Sequence, residues 1–166
     1  MIADTARSNM AVRMVRLEHH RSAIELVARW YFDEWGVADP DATIERIADE
    51  LLDGLGVDAL PSCWVAVTEG RVVGTAMLKH REVPAFHDFE HWLGGVYVDP
   101  ECRGRGVARQ LIQRCIDEAA ALGLNRLYLQ TEEHNVGLYT RFGWSPARLP
   151  PGVTHPRPVM VRTRGR

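Results

Sequence analysis

Residues 96–108 read VYVDPECRGRGVA, and they hold the most informative pattern in the chain. Alternating apolar residues end at Val98, a turn follows, and a helical pattern begins at Gly104 and Gly106. The first amides of a helix have no acceptor within it, and the helix dipole favours an anion beside them. Glycines let a ligand approach the backbone closely. The stretch therefore predicts a phosphate-binding turn at the start of a helix.

Three arginines add positive charge to this helix end, Arg103, Arg105 and Arg109. Guanidinium groups bind phosphate oxygens in a bidentate manner, although a solvated helix end would carry the same residues. Two common phosphate-binding motifs do not fit. The P-loop needs a lysine that this chain lacks there, since its one lysine is Lys79. The dinucleotide motif GxGxxG needs a glycine where Arg109 stands.

A second informative stretch covers residues 127–144, with the sequence LYLQTEEHNVGLYTRFGW. Its first part, Leu127–Thr131, predicts a strand, and Asn135–Phe142 predicts a short helix. Asn135 and Tyr139 are four residues apart, so they lie on one face of that helix. Asn135 could also serve only as the N-cap, a role that is compatible with ligand binding.

Together the two stretches resemble the GNAT N-acetyltransferases. The acyl-CoA signature of that family is Q/R-x-x-G-x-G/A, and residues 103–108 match it at every fixed position. The second family motif is a strand, an Asn, and a helix that ends in L-Y-x-x-x-G-F/W, which residues 127–144 resemble. The resemblance covers roughly residues 63–145.

The resemblance implies a fold, an activity and a site. The fold would be α+β, with a mixed central sheet flanked by helices. The activity would be transfer of an acetyl group from acetyl-CoA to a primary amine by direct attack. Tyr139 would protonate the departing thiolate, and amides near a bulge at Gly94-Gly95 would polarise the thioester carbonyl. The cosubstrate-binding residues would be Val96, Val98, Arg103, Gly104, Arg105, Gly106, Val107, Ala108, Arg109, Asn135 and Tyr139.

The base that deprotonates the amine is the least defined part of this expectation. Many relatives carry a glutamate on the strand before the phosphate-binding turn, whereas residues 92–98 here contain no acid. Asp88 and Glu90 lie just upstream and are the candidates to deprotonate or position the amine. A water chain with no single base is the alternative. Five aromatic residues could line an acceptor pocket or simply pack, Trp30, Tyr31, Trp35, Phe86 and Trp92.

The rest of the pattern predicts the element order β α α β β β α β α β β. Helices are predicted at Ser22–Glu34, Asp41–Asp53 and Gly106–Leu122. Strands are predicted at Val12–Leu17, Cys63–Thr68, Val72–Leu78, Leu93–Val98, Trp144–Arg148 and Pro158–Arg162. The helix between residues 93–98 and 127–131 makes those two strands parallel neighbours. Its inner face would consist of Val107, Leu111, Cys115, Ile116, Ala119 and Leu122.

Length and composition are those of a folded protein without a membrane span. The chain has 166 residues, of which 46% are hydrophobic and 25% charged. We expect one domain over residues 11–166 after a flexible segment at residues 1–10. There is no apolar run of 18 residues and no pattern of a signal peptide. Three cysteines without a CxxC motif favour a reducing compartment, so we expect a cytoplasmic protein.

The net charge of −2 argues against nucleic acid as a partner, but the charge is unevenly distributed. Residues 1–60 carry twelve acidic and six basic side chains, whereas residues 101–166 carry five acidic and eleven basic ones. This asymmetry favours an anionic ligand beside the second region and a cationic one beside the first.

Several alternatives stay open. His87 and His91 have the spacing of metal ligands on a helix, but Pro84 indicates a loop, so no metal is expected. A small amine is the favoured acceptor, with a peptide N-terminus or lysine as alternatives. Rival functions are a catalytically idle acyl-CoA-binding or sensing module and a nucleotide-phosphate binder. The sequence is also compatible with a homodimer.

Overall fold

A seven-stranded mixed sheet forms the centre of the protein, in a computed structural model that describes residues 11–56 and 60–165. The predicted flexible segment at residues 1–10 lies outside the described residues, and the single domain stays a prediction. The strands are β1 (Arg13–Arg16), β2 (Ser62–Thr68), β3 (Arg71–His80), β4 (His91–Val98), β5 (Arg126–Gln130), β6 (Ser145–Pro146) and β7 (Val159–Thr163). The helices are α1 (Ile24–Trp35), α2 (Ile44–Asp53), α3 (Val107–Ala121) and α4 (Val136–Thr140).

The strand order in the sheet is β1-β2-β3-β4-β5-β7-β6. Neighbouring strands are antiparallel except β4 and β5, which are parallel and joined through α3. The predicted element order and the predicted parallel pair are therefore confirmed, and the class is α+β. No helix among the described residues is long and apolar enough to cross a bilayer.

Several predicted element ends differ from the structure for local reasons. The second helix begins at Ile44 instead of Asp41, because Thr43 adopts an extended conformation and its hydroxyl accepts a hydrogen bond from the Arg46 amide. The last predicted helix is shorter, since a 3₁₀ turn at Glu133–Asn135 precedes α4. The predicted strand at Trp144–Arg148 is reduced to two residues.

The sheet is buried between two layers of helices, and β2 shows this most clearly. All seven of its residues are buried, and residues 63–67 alternate between two hydrophobic clusters. Trp64 and Ala66 pack in the cluster that contains α3, whereas Val65 and Val67 pack in the cluster that contains α1 and α2. The middle of the sheet is therefore a rigid platform for the residues at its edges.

A bulge interrupts β4 at the position that the sequence predicted. Thr75 pairs with Tyr97 and Met77 pairs with Gly94, so β4 contains one residue more than β3 between these pairs. Gly95 lies within the bulge at a φ of 57°, a value that glycine adopts without strain. The bulge turns part of the β4 backbone away from the regular ladder.

The parallel strands β4 and β5 also separate beside this bulge. Among the described residues their pairing is confined to Trp92 opposite Tyr128. Beyond Trp92, the backbone N–H and C=O groups on the edge of β4 that faces β5 have no partner in β5 within the described part of the chain. The separation opens the centre of the sheet beside the bulge.

Candidate active site

A cavity of about 420 Å³ lies where β4 and β5 separate. Its walls include residues 93–96 of β4 and residues 130–132 at the end of β5. The opposite side is formed by α1, α2 and the turn between them. Three of the predicted site residues line this cavity, namely Val96, Asn135 and Tyr139. Tyr31 and Trp35 also line it, whereas Trp30, Phe86 and Trp92 pack in the core.

The bulge is held in place by a tyrosine from α1. The Tyr31 hydroxyl donates a hydrogen bond to the Gly95 carbonyl at 3.0 Å and lies 3.3 Å from the Thr75 hydroxyl. A Cβ on Gly95 would collide with that hydroxyl, so glycine is required here for space as well as for its φ. Burial raises the pKa of Tyr31 well above its ordinary value, which keeps the hydroxyl a donor. Because a trans peptide directs its carbonyl and its N–H to opposite sides, this bond also orients the Val96 amide.

Tyr139 stands on α4 with most of its ring buried against Trp144, at 5.8 Å between ring centroids. Burial, followed by the charges of Cys115 and Glu82, raises the pKa of Tyr139 to about 12. The phenol is therefore protonated at neutral pH and can act as a proton donor towards the cavity. Asn135 lies at the N-cap position of α4, but its side chain caps no amide of that helix.

Glu82 is a cavity residue that the sequence analysis missed. Its Oε1 accepts a hydrogen bond from Gln130 Nε2 at 3.1 Å, and its Oε2 lies 3.6 Å from Lys79 Nζ. Oε2 is buried and accepts no hydrogen bond within the described residues. A Cβ on Gly94 would lie 2.5 Å from Oε2, so the carboxylate occupies the space directly over Gly94. The Glu82 carboxylate is thus fixed beside the bulge.

The two sequence candidates for a base lie elsewhere. Asp88 and Glu90 are exposed, and neither is among the residues that line the cavity. Glu90 instead lies within hydrogen-bond distance of His80, at 3.1 Å between Oε1 and Nε2. Asp88 and Glu90 are nearer to β4 along the chain, whereas the segment after β3 folds back and brings Glu82 over Gly94.

The predicted phosphate-binding turn has the expected backbone. Gly104 and Gly106 have φ values of 73° and 79°, and a Cβ on either would meet nothing within 4 Å. Gly106 is the N-cap of α3, so the first amides of that 15-residue helix lack acceptors within it. Val107 is fully buried and anchors the helix start in the core. The residues therefore fit a phosphate group that approaches the backbone.

The arginines of this turn have different environments. Arg103 Nε donates to the Val98 carbonyl at 2.9 Å, which holds the turn against the end of β4. Arg105 is exposed at the helix start. Arg109 lines a second, open cavity of about 500 Å³, with Gln110, Gln113, Arg141 and Phe142. Val98 is buried, and Ala108 is partly exposed in the first turn of α3.

Comparisons with known proteins agree with this geometry. The model of the acetyltransferase (GNAT) family matches residues 23–144, so the chain belongs to that family. The protein is thus a GNAT-family N-acetyltransferase, a class whose cosubstrate is acetyl-CoA.

One curated relative and two solved structures illustrate the likeness. The peptidyl-lysine N-acetyltransferase YjaB of Escherichia coli is 29% identical over 136 residues, which cover 78% of this chain and 80% of that protein. A GCN5-related N-acetyltransferase from Kribbella flavida superposes with a TM-score of 0.68 at 24% identity, covering 93% of this chain and 98% of that one. N-acetylglutamate synthase from Neisseria gonorrhoeae, complexed with coenzyme A and N-acetyl-glutamate, superposes with a TM-score of 0.64 at 16% identity. The match covers 94% of this chain and 36% of that one.

Proposed function

We propose that this enzyme transfers the acetyl group of acetyl-CoA to a small primary amine bound in the cavity between β4 and β5. The observation that carries the proposal is the convergence of three groups on that cavity. The partly buried carboxylate of Glu82, the protonated phenol of Tyr139 and the bulge at Gly95 all border it. Direct acetyl transfer needs a proton acceptor, a proton donor and a polarised carbonyl, and these groups can supply them.

The donor would extend from the cavity along β4 to the start of α3. Val96 and Val98 would bind its pantetheine arm through main-chain groups, and Asn135 would hydrogen-bond the same arm. Residues 103–109 would hold the pyrophosphate through the free amides of α3 and the arginine side chains. The glycine backbone at residues 104 and 106 supports this placement, because it leaves free space over the amides.

The reaction would proceed in one attack. The amine nitrogen adds to the thioester carbonyl carbon, and the Val96 N–H, oriented through the Tyr31–Gly95 hydrogen bond, stabilises the negative charge on the oxygen. The nitrogen of this tetrahedral adduct gives its extra proton to Glu82, directly or through water. The carbon–sulfur bond then breaks, and Tyr139 gives its proton to the departing thiolate.

The acceptor side of the cavity favours a cationic amine. Five acidic and three basic residues line the cavity, and three of the acids lie on α1, α2 or the turn between them, Glu34, Asp39 and Glu50. This agrees with the negative charge of residues 1–60 and would attract an ammonium group. A peptide lysine, as in the name of the relative YjaB, and a peptide N-terminus are the alternative acceptors. Three free, buried cysteines support a cytoplasmic location.

The test is thiol release from acetyl-CoA across a panel of small amines and lysine peptides, with the parent and Tyr139→Phe. We expect turnover with at least one amine and a loss of about 10²-fold in kcat for Tyr139→Phe. The Kd for acetyl-CoA should stay within about twofold of the parent value. Acetyl-CoA binding without turnover on any acceptor would favour the idle binding module. Protection from thermal unfolding by ATP or NAD, but not by acetyl-CoA, would favour the nucleotide binder.

A further inference from the structure

Two histidines and a glutamate meet outside the cavity, at the point where β3 ends and β4 begins. His80 and His91 are cross-strand partners, and their ring centroids are 5.6 Å apart. Glu90 directly precedes His91, and its Oε1 lies 3.1 Å from His80 Nε2. One ligand atom from each of the three residues lies within 4.8 Å of the others. None of the three lines the cavity between β4 and β5.

We propose that His80, Glu90 and His91 form a binding site for a divalent transition-metal ion, of which Zn²⁺ is the best match. Imidazole nitrogen and carboxylate oxygen bind Zn²⁺ at about 2.0–2.2 Å, so the atoms of two tetrahedral ligands lie about 3.3 Å apart. The pair His80 and Glu90 already has this separation. The His91 ligand atom lies within 4.8 Å of the other two, so a side-chain rotation would bring it to the ion, and the fourth position is left to water.

The surroundings of the three side chains allow these movements. The side chains of His80 and Glu90 are 44% and 54% exposed, and His91 is partly exposed, so an ion can reach them from solvent. Arg81 is the neighbouring cation, and its charge opposes that of the ion.

The site has a structural consequence for the segment between the two strands. Residues 81–90 leave the sheet after His80 and return before His91, and the Arg81 amide donates to the Glu90 carbonyl at 2.8 Å. A bound ion would join the two ends of this segment, which carries Glu82 to the cavity. The sequence spacing of His87 and His91 did not indicate this arrangement, because the partner of His91 lies eleven residues away across the hairpin.

The experiment is titration calorimetry of the untagged, chelator-treated protein with Zn²⁺, followed by Co²⁺ absorption to report the ligand geometry. We expect saturable binding of one Zn²⁺ per chain and a raised melting temperature. His80→Ala and His91→Ala should each weaken binding by at least about tenfold. His87→Ala is the matched control, since it removes an exposed histidine of the same segment, and it should bind like the parent.

Two results would overturn the proposal. One is the absence of saturable binding to the parent protein. The other is unchanged affinity in both His80→Ala and His91→Ala, which would place the ion elsewhere, for example at His19 and His20. Melting curves show whether each variant is folded, and Glu90→Gln provides a third variant that keeps both imidazoles. The measurement needs no acetyl-CoA, so its failure would leave the proposed acetyl transfer untouched.

Discussion

At the residue scale, two glycines on β4 make room for functional groups from other parts of the chain. The space over Gly94 is taken by the Glu82 carboxylate, and the space over Gly95 by the Tyr31 hydroxyl. A strand with side chains at these positions could not accept either group without moving it. A carboxylate from the segment after β3 thus lies beside a strand that has no acid at residues 92–98.

Glu82→Gln tests whether that carboxylate accepts the amine proton. We expect kcat to fall by about 10²-fold, because the amide cannot take up a proton, while the Kd for acetyl-CoA stays within about twofold. The measurement is steady-state thiol release together with calorimetric binding of acetyl-CoA.

Asp88→Asn is the matched control for that variant, since it removes an exposed acid of the same segment. It should retain the parent kcat. A large loss in Asp88→Asn with none in Glu82→Gln would instead support the candidate from the sequence analysis. Equal activity in both variants would favour a water chain without a single base.

At the scale of elements, α3 begins directly after a turn that contains two glycines in the left-handed region, Gly104 and Gly106. A third such residue, Gly123, follows the C-cap of the same helix, with a φ of 73° and no atom within 4 Å of a Cβ. Gly106 and Gly123 therefore have similar backbone conformations and similar free space around a Cβ, but they lie at opposite ends of one helix. Only the N-terminal end has free amides for an anion.

Gly106→Val should weaken acetyl-CoA binding by at least about tenfold, because a branched side chain would fill the space through which the pyrophosphate approaches the amides. Gly123→Val imposes a comparable backbone cost and should leave the affinity unchanged. Calorimetric Kd values and denaturant midpoints of both variants check this expectation. Equal Kd values for the two variants would show that the phosphates bind elsewhere.

At the scale of the whole molecule, several buried acidic groups should make the fold sensitive to high pH. Burial raises the pKa of the Cys63 thiol from its ordinary value of 9.0 to about 11, and that of Tyr139 from 10.0 to about 12. Burial also raises the pKa values of Tyr31 and Cys115. At a pH between the ordinary and the raised pKa of a group, the unfolded chain has released a proton that the folded chain keeps. Stability is therefore complete below about pH 9 and falls as the pH rises through 11 and 12.

Urea unfolding at pH 8, 9 and 10 measures this effect. For each proton that only the folded chain keeps, the free energy of unfolding falls by up to about 1.4 kcal/mol per pH unit. Cys63→Ala removes one of these groups, so its stability should fall less steeply above pH 9 than that of the parent. Parallel slopes for the parent and Cys63→Ala would contradict the assignment.

The buried face of α3 shows how far a sequence pattern reaches. Spacing predicted its inner residues well from Val107 to Ala119, because a period of 3.6 is a local property of the chain. It also placed Leu122 inside, but that side chain is 37% exposed. Glu118 is buried instead, where its carboxylate accepts hydrogen bonds from Arg16, Ser62 and Trp64 at 2.6–2.7 Å. No local pattern indicates a buried acid whose three partners lie 54 or more residues away.

The features of the candidate site likewise fall into two groups, those that a local sequence pattern predicts and those that depend on residues far apart in the chain. The sequence alone determined the element order, the parallel pair, the glycine turn before α3, the bulge and a short helix that carries Tyr139 and has Asn135 at its N-cap. Each of these depends on residues within one element or turn, or on the order of consecutive elements along the chain. Only the tertiary structure brought Glu82 over Gly94, Tyr31 to Gly95 and His80 beside His91. Contacts across strands and between distant elements depend on register, on chain reversal and on which strands separate, and periodicity along the sequence carries no information about them.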